Sequence, residues 1–266
     1  MWEWLGLGKG GEKTGLDLLQ VLAAVSIPVV VVVMASIFTA SQSRNQQQAE
    51  EDRARSQQDV EEERAQDEAL QTYLEGMGSL LLEEELGSSG DAEVRTLAEA
   101  RTSTVLERVN GYRKRSVVLF LHKARLIQKN QPLVSLTNAD LSSVDLRDAD
   151  LRDAELLAVD LSGADLSHAH LNGTNLLGAN LLDADLSVAN MRDADLSATV
   201  LIDAELSGAL LSGANMSGAN LLDADLRDAD LSGADLRGAR GVTNEELEEQ
   251  AKSLIGTTMP DGTKHD

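Results

Sequence analysis

Leucine or methionine occupies every fifth position from 141 to 236, twenty times in succession, as eighteen leucines with Met191 and Met216. Two residues earlier stands alanine in sixteen cases, with Val144, Val159, Thr174 and Thr199 as the exceptions. The residue between them is Asp ten times and Asn five times. Five residues advance about 140° around an α-helix, so helical leucines would scatter over the whole cylinder. In a single strand an odd spacing would send them alternately to both faces. A chain that turns after every pentapeptide avoids both problems. Leu and Ala then point inward on each side of a coil, and the other three residues face solvent. Self-similarity at a fixed short period is the mark of such a solenoid.

The repeated unit, as in "ADLRDADLSGADL", matches the consensus A(D/N)LXX and resembles the pentapeptide-repeat family over residues 134–240. That resemblance implies a right-handed, quadrilateral β-helix, with twenty repeats making about five coils and a height of roughly 24 Å. "RAQDEALQTYLEGMGSLLL", "VRTLAEARTSTVLERV" and "NEELEEQAKSLIGTTMPDG" are similar to segments of membrane-anchored bacterial members. The implied address is a bacterial plasma membrane crossed once.

Residues 1–17 form a polar leader with Trp2, Trp4, Lys9 and Lys13. The segment 18–40, "LLQVLAAVSIPVVVVVMASIFTA", carries no charge. As a helix it spans roughly 34 Å, enough for a hydrocarbon core of about 30 Å. It reads as a transmembrane helix that makes the lipid bilayer a partner; a buried core helix and a cleaved signal peptide are the alternatives. Arg44, Arg53 and Arg55 come after the span, against two lysines before it. By the positive-inside rule this places the C-terminal side in the cytoplasm.

Residues 41–69 are rich in Gln, Glu and Arg and poor in apolar residues, which predicts a solvated helical stalk. Over 70–128 three amphipathic stretches predict a small helical domain that also covers the first coil. Leu70, Tyr73, Leu74, Met77 and Leu81 supply its first stripe. "GSSGD" at 87–91 breaks the chain after that stripe, and the apolar residues of 92–110, Leu97 among them, pack against it. The basic run 112–115 reads as contact with anionic headgroups or with an acidic partner, or else as a helix start with a solvated face. In 241–266, "TNEELEEQAKSLI" predicts a C-terminal capping helix with a Thr243–Glu246 capping box, burying Leu247, Ala251, Leu254 and Ile255. The whole chain is thus an α+β protein.

If four pentapeptides complete a coil, residues twenty apart stack. Asp145, Asp165, Asp185, Glu205 and Asp225 then form a candidate acidic strip, a binding surface for a cationic partner or simply the consequence of the repeat. Leu182, Val200, Ile202 and Leu222 form a candidate interaction face, because the consensus requires nothing apolar there. Leu157 and Leu177 make a second pair. His168 and His170 lack companions for a metal site, and no nucleophile, phosphate loop or cofactor motif occurs, so no catalytic, cofactor or metal residue is assigned.

A net charge of −22 argues against direct nucleic-acid binding. The absence of cysteine excludes disulfides. These features predict a non-enzymatic, membrane-anchored scaffold that meets an unidentified protein partner or a second copy of itself. The alternative is a DNA-mimicking inhibitor of a DNA-binding enzyme such as a topoisomerase, a role known for some soluble family members. Nineteen acids against six arginines over 136–240 suit that reading.

Overall fold

The computed structural model describes residues 15–82, 92–129 and 131–266. Residues 1–14, with Trp2, Trp4, Lys9 and Lys13, and the "GSSGD" break lie outside the described residues, while 15–17, expected in the leader, already belong to a helix. The chain divides into two units at Glu62/Glu63.

In the first unit a single helix, α1 (Gly15–Leu82), begins. Ile27, Val29 to Val33, Met34, Ile37 and Phe38 are each at least half exposed, a run of apolar surface. The helix is long and apolar enough to be a membrane span or a signal sequence. Three hydroxyls in and just after this run bond within the helix. Ser36, Thr39 and Ser41 donate to the carbonyls of Val32, Ala35 and Phe38, as an apolar surrounding requires. Residues 41–62 continue the same helix with every side chain exposed. The boundaries expected at 40 and 69 are changes of composition inside one unbroken helix.

The second unit starts with the last turns of α1, then α2 (Ala92–Arg108) and α3 (Gly111–Lys123). Tyr73, Met77 and Leu80 are buried with Val94, Ala98, Val105, Leu106, Val117, Val118 and Leu121. Leu80, outside the expected stripe, is buried with it, while Leu70, Leu74 and Leu81 are half-buried and pack against that core. Spacings of four and three keep 73, 77 and 80 on one line, whereas 81 has rotated off it. Leu97, expected in the core, stays exposed. The Tyr73 ring meets Phe120 edge-on at 6.2 Å, and its hydroxyl reaches Thr102 Oγ1 at 3.0 Å. Burial pushes the Tyr73 pKa up to about 12.

Beyond Val134 the chain becomes the solenoid. Asp140 bridges to Asp160, Asp145 to Asp165 and so on in parallel to Asn220 and Arg240, one bridge per pentapeptide and each twenty residues apart. A turn of the solenoid therefore has four sides. Each side is too short to be an extended strand, so this is a β-helix made of isolated bridges. The core is the column of Leu and Ala, nearly all fully buried.

Backbone accounting explains the pentapeptide. In the unit "LSGAD" at 161–165, the leucine and the second corner residue donate to the next turn, Leu161 to Asn180 and Gly163 to Leu182. The residue before the next Leu donates to the previous turn, Asp165 to Val144. The alanine closes the corner, Ala164 to Leu161. That leaves one N–H, on the first corner residue. Among the described residues, fourteen of the fifteen Asp and Asn side chains before a core Leu or Met accept it. Asp and Asn therefore recur because they complete the hydrogen bonding of the chain. The second corner residue is left-handed, which favours Gly, Asp and Asn; Val188 at φ +58° is the β-branched exception.

The C-terminal end departs from expectation. Helix α4 (Asn244–Gln250) has the capping box but ends at Gln250, not at Ile255. The chain then rejoins the solenoid: Ser253 bridges to Asp230 and Thr258 to Asp235, with Leu254, Thr257 and Met259 buried. Ile255 is 71% exposed because it occupies a corner, not a helical face. Gln250 Oε1 accepts the N–H of Leu226 at 2.9 Å, filling the place of a missing backbone carbonyl. An antiparallel bridge from Thr258 to Lys264 closes the end.

Candidate interaction surface

The basic run 112–115 is directed inward. Arg113 is buried, stacks over the Tyr112 ring at 4.6 Å and pairs with Asp67 at 2.8 Å. It also donates to Gln66 Oε1, Asn110 Oδ1 and the Glu63 carbonyl. Lys114 reaches Asp140 at 3.1 Å. Arg115 donates to the carbonyls of Asp145 and Arg147, and His122 Nε2 lies 2.8 Å from that of Arg152. In later turns these carbonyls accept from the preceding turn; in the first turn no coil precedes them. Helix α3 thus caps the solenoid with its side chains, and the expectation of a free or solvated basic run is corrected.

The acidic strip stacks as the spacing predicts, with Asp145, Asp165, Asp185, Glu205 and Asp225 joined by successive bridges. Its ends are partly neutralised. Arg147 pairs with Asp145 at 2.7 Å and reaches Asp165 at 3.3 Å, while Arg227 grips Asp225 through both carboxylate oxygens. Asp185 and Glu205 have no ion pair among the described residues.

Hydrogen bonds from Arg147 and its backbone N–H hold Asp145 down to about 2, and Arg152 does the same for Asp150. Both are depressed relative to an unfolded value of about 4. Their stabilisation is therefore complete above pH 4 and lost as pH falls towards 2. Thermal unfolding should show a falling midpoint across that window, and Asp145→Asn should flatten the slope. An unchanged slope in the variant would rule out this assignment.

The apolar strip lies on another side. Val200 bridges to Asn180 and Asn220, and Leu182, Ile202 and Leu222 take successive first-corner positions beside them. Leu222 is 46% exposed; Leu182, Val200 and Ile202 are half-buried. Leu177, also exposed, occupies the opposite corner of the same side, with Leu157 one turn earlier. The residues in the middle of this side are uncharged from Asn180 to Asn220, whereas those of the acidic strip are all carboxylates. Ser142 and Ser162 end the strip. His168 and His170 remain on the exterior, and no cluster of three potential metal ligands occurs among the described residues.

A family model described as pentapeptide repeats matches residues 133–167, 160–197 and 204–240 in eight copies. This chain belongs to the pentapeptide-repeat family. The family's fold is a right-handed β-helix, here with a long N-terminal helix. Among solved structures, this pentapeptide-repeat protein is similar to one from the Arabidopsis thaliana thylakoid lumen, at 32% identity over 37% of this chain and 68% of that one, with a TM-score of 0.36. It is similar to HetL, involved in heterocyst differentiation regulation in the cyanobacterium Nostoc, at 31% identity over 50% and 75%, TM-score 0.19. QnrB1, a plasmid-mediated fluoroquinolone resistance protein, matches at 20% identity over 47% and 78%, TM-score 0.33. No curated protein matches the chain.

Proposed function

We propose that this protein is a non-enzymatic scaffold, anchored in a bacterial plasma membrane through residues 18–40, whose solenoid of about five coils binds a protein partner on its cytoplasmic side. The observation that carries the reading is the strip Leu182, Val200, Ile202 and Leu222. The fold asks for nothing apolar there: serine fills the corner of 182, 202 and 222 at 142 and 162, and Asp or Asn fills the position of Val200 in the other turns up to 220. Contiguous apolar side chains on an otherwise acidic surface favour a protein contact. The bilayer is the natural partner of the exposed apolar run in α1. A chain of net charge −22 binds no nucleic acid directly.

The test is a full-length Leu182→Ser/Ile202→Ser/Leu222→Ser variant compared with wild type by proximity labelling from a C-terminal fusion. Loss of specific labelled neighbours, with the variant still in the membrane fraction, is expected. Unchanged neighbours and unchanged oligomeric state would exclude the strip as an interface.

A further inference from the structure

We infer that the side carrying Leu182, Ile202 and Leu222 docks a basic amphipathic helix lying along the solenoid axis. The inference rests on the interaction reading above and adds the chemistry and geometry of the partner.

Three observations combine. The first is the apolar line itself, with Val200 beside it and Leu177 at the far corner of the same side. The second is its border. Asp183, Asp203 and Asp223 are the residues immediately after the three apolar ones; all are exposed, and none has an ion pair among the described residues. Beyond them lies the unpaired middle of the acidic strip, Asp185 and Glu205. A partner must therefore match an apolar stripe flanked on one edge by positive charge.

The third observation is pitch. Successive turns of the solenoid stack at about 4.8 Å. An α-helix advances about 5.4 Å per turn, so side chains at i, i+4 and i+7 track 182, 202 and 222 with a drift of roughly 1 Å over two steps. Alternate residues of an extended strand are about 6.6 Å apart and lose register by the second step. Lysines or arginines one position round the helix then face the three aspartates. This is recognition of an amphipathic helix through regularly spaced anchors.

A second copy of this chain fits poorly. A two-fold contact with antiparallel strips would bring each aspartate column towards its equivalent, and a contact in either orientation joins molecules of net charge −22.

The test uses the full chain in nanodiscs of neutral lipid. The probe is a fluorescein-labelled helical peptide about 14 residues long, with one leucine stripe flanked by lysines. Fluorescence anisotropy should show saturable binding that weakens with salt. Leu182→Ser/Ile202→Ser/Leu222→Ser and Asp183→Asn/Asp203→Asn/Asp223→Asn should each weaken it on the order of tenfold, and the second should also reduce the salt dependence. Both variants keep the fold's own chemistry, because serine fills this corner elsewhere and asparagine tolerates the left-handed conformation of the aspartates. Circular dichroism melts check that they fold.

No binding, equal binding of a scrambled peptide of the same composition, or indifference to both variants overturns the proposal. A dimer in sedimentation that the serine variant dissolves assigns the strip to a second copy and also overturns it, while the interaction reading survives. Unchanged labelled neighbours in that variant would instead defeat the interaction reading itself.

Discussion

Leu186→Ala will lower the stability of the solenoid by about 3 kcal/mol, whereas Leu222→Ser will change it by less than about 0.5 kcal/mol. Leu186 is fully buried between Leu166 below and Leu206 above. The inter-turn hydrogen bonds hold the backbone on both sides of it, with Leu186 donating to Glu205 and Asp185 to Ala164. The neighbouring turns therefore cannot close on the cavity, and the truncation bears both the lost transfer energy and the void. Leu222 has the same residue type but takes a corner position, and its apolar surface is already half in water.

Stability in a solenoid is a sum over neighbouring turns, so a single global midpoint can hide a local opening. Hydrogen exchange at the amides of Leu166, Leu186 and Leu206 in the full chain is the direct measurement. Comparable destabilisation by both variants would mean that the apolar strip is structural, and the proposed interface would lose its foundation.

The difference between these two leucines is legible from spacing alone, because the period assigns every residue a position on the coil. The role of Asp and Asn is harder to read. Their recurrence looks like a surface charge pattern until the one spare N–H per pentapeptide is counted, and counting it requires the path of the backbone. The basic run escapes sequence reading for a related reason. Its partners are Asp67, the Asp140 side chain and carbonyls of 145 and 147, all distant in sequence.

The C-terminal tail is disguised because α4 shifts the register. Asp230 pairs with Ser253, and Asp235 with Thr258, a separation of 23 in place of 20. A five-residue period loses the pattern there, and Leu247, Ala251 and Leu254 imitate a helical face. The continuity of α1 is hidden for another reason: helix propensity does not distinguish lipid, water and protein as surroundings.

Gly241→Ala should cost at least about 2 kcal/mol and release the end of the solenoid. Gly241 has φ +78°, and a methyl group placed on it would overlap the backbone nitrogen and Cα of Leu222. Leu222 is fixed by the ladder and cannot move aside as a flexible side chain would. The chain leaves the coil at this point to form α4, so displacing Gly241 also displaces α4 and the tail behind it. Leu226 and Asp228 would lose Gln250 as their acceptor, and Leu231 and Leu236 would lose Ser253 and Thr258. The last full turn would then expose its core leucines.

Gly256→Ala is the control. It is also left-handed, at φ +70°, but an added methyl group meets nothing within 4 Å. Its cost should be limited to the conformational term, about 1 kcal/mol. Hydrogen exchange at Leu226, Leu231 and Leu236 should therefore accelerate strongly in the first variant and little in the second. Equal acceleration would show that the left-handed conformation alone, and not the contact with Leu222, limits both positions.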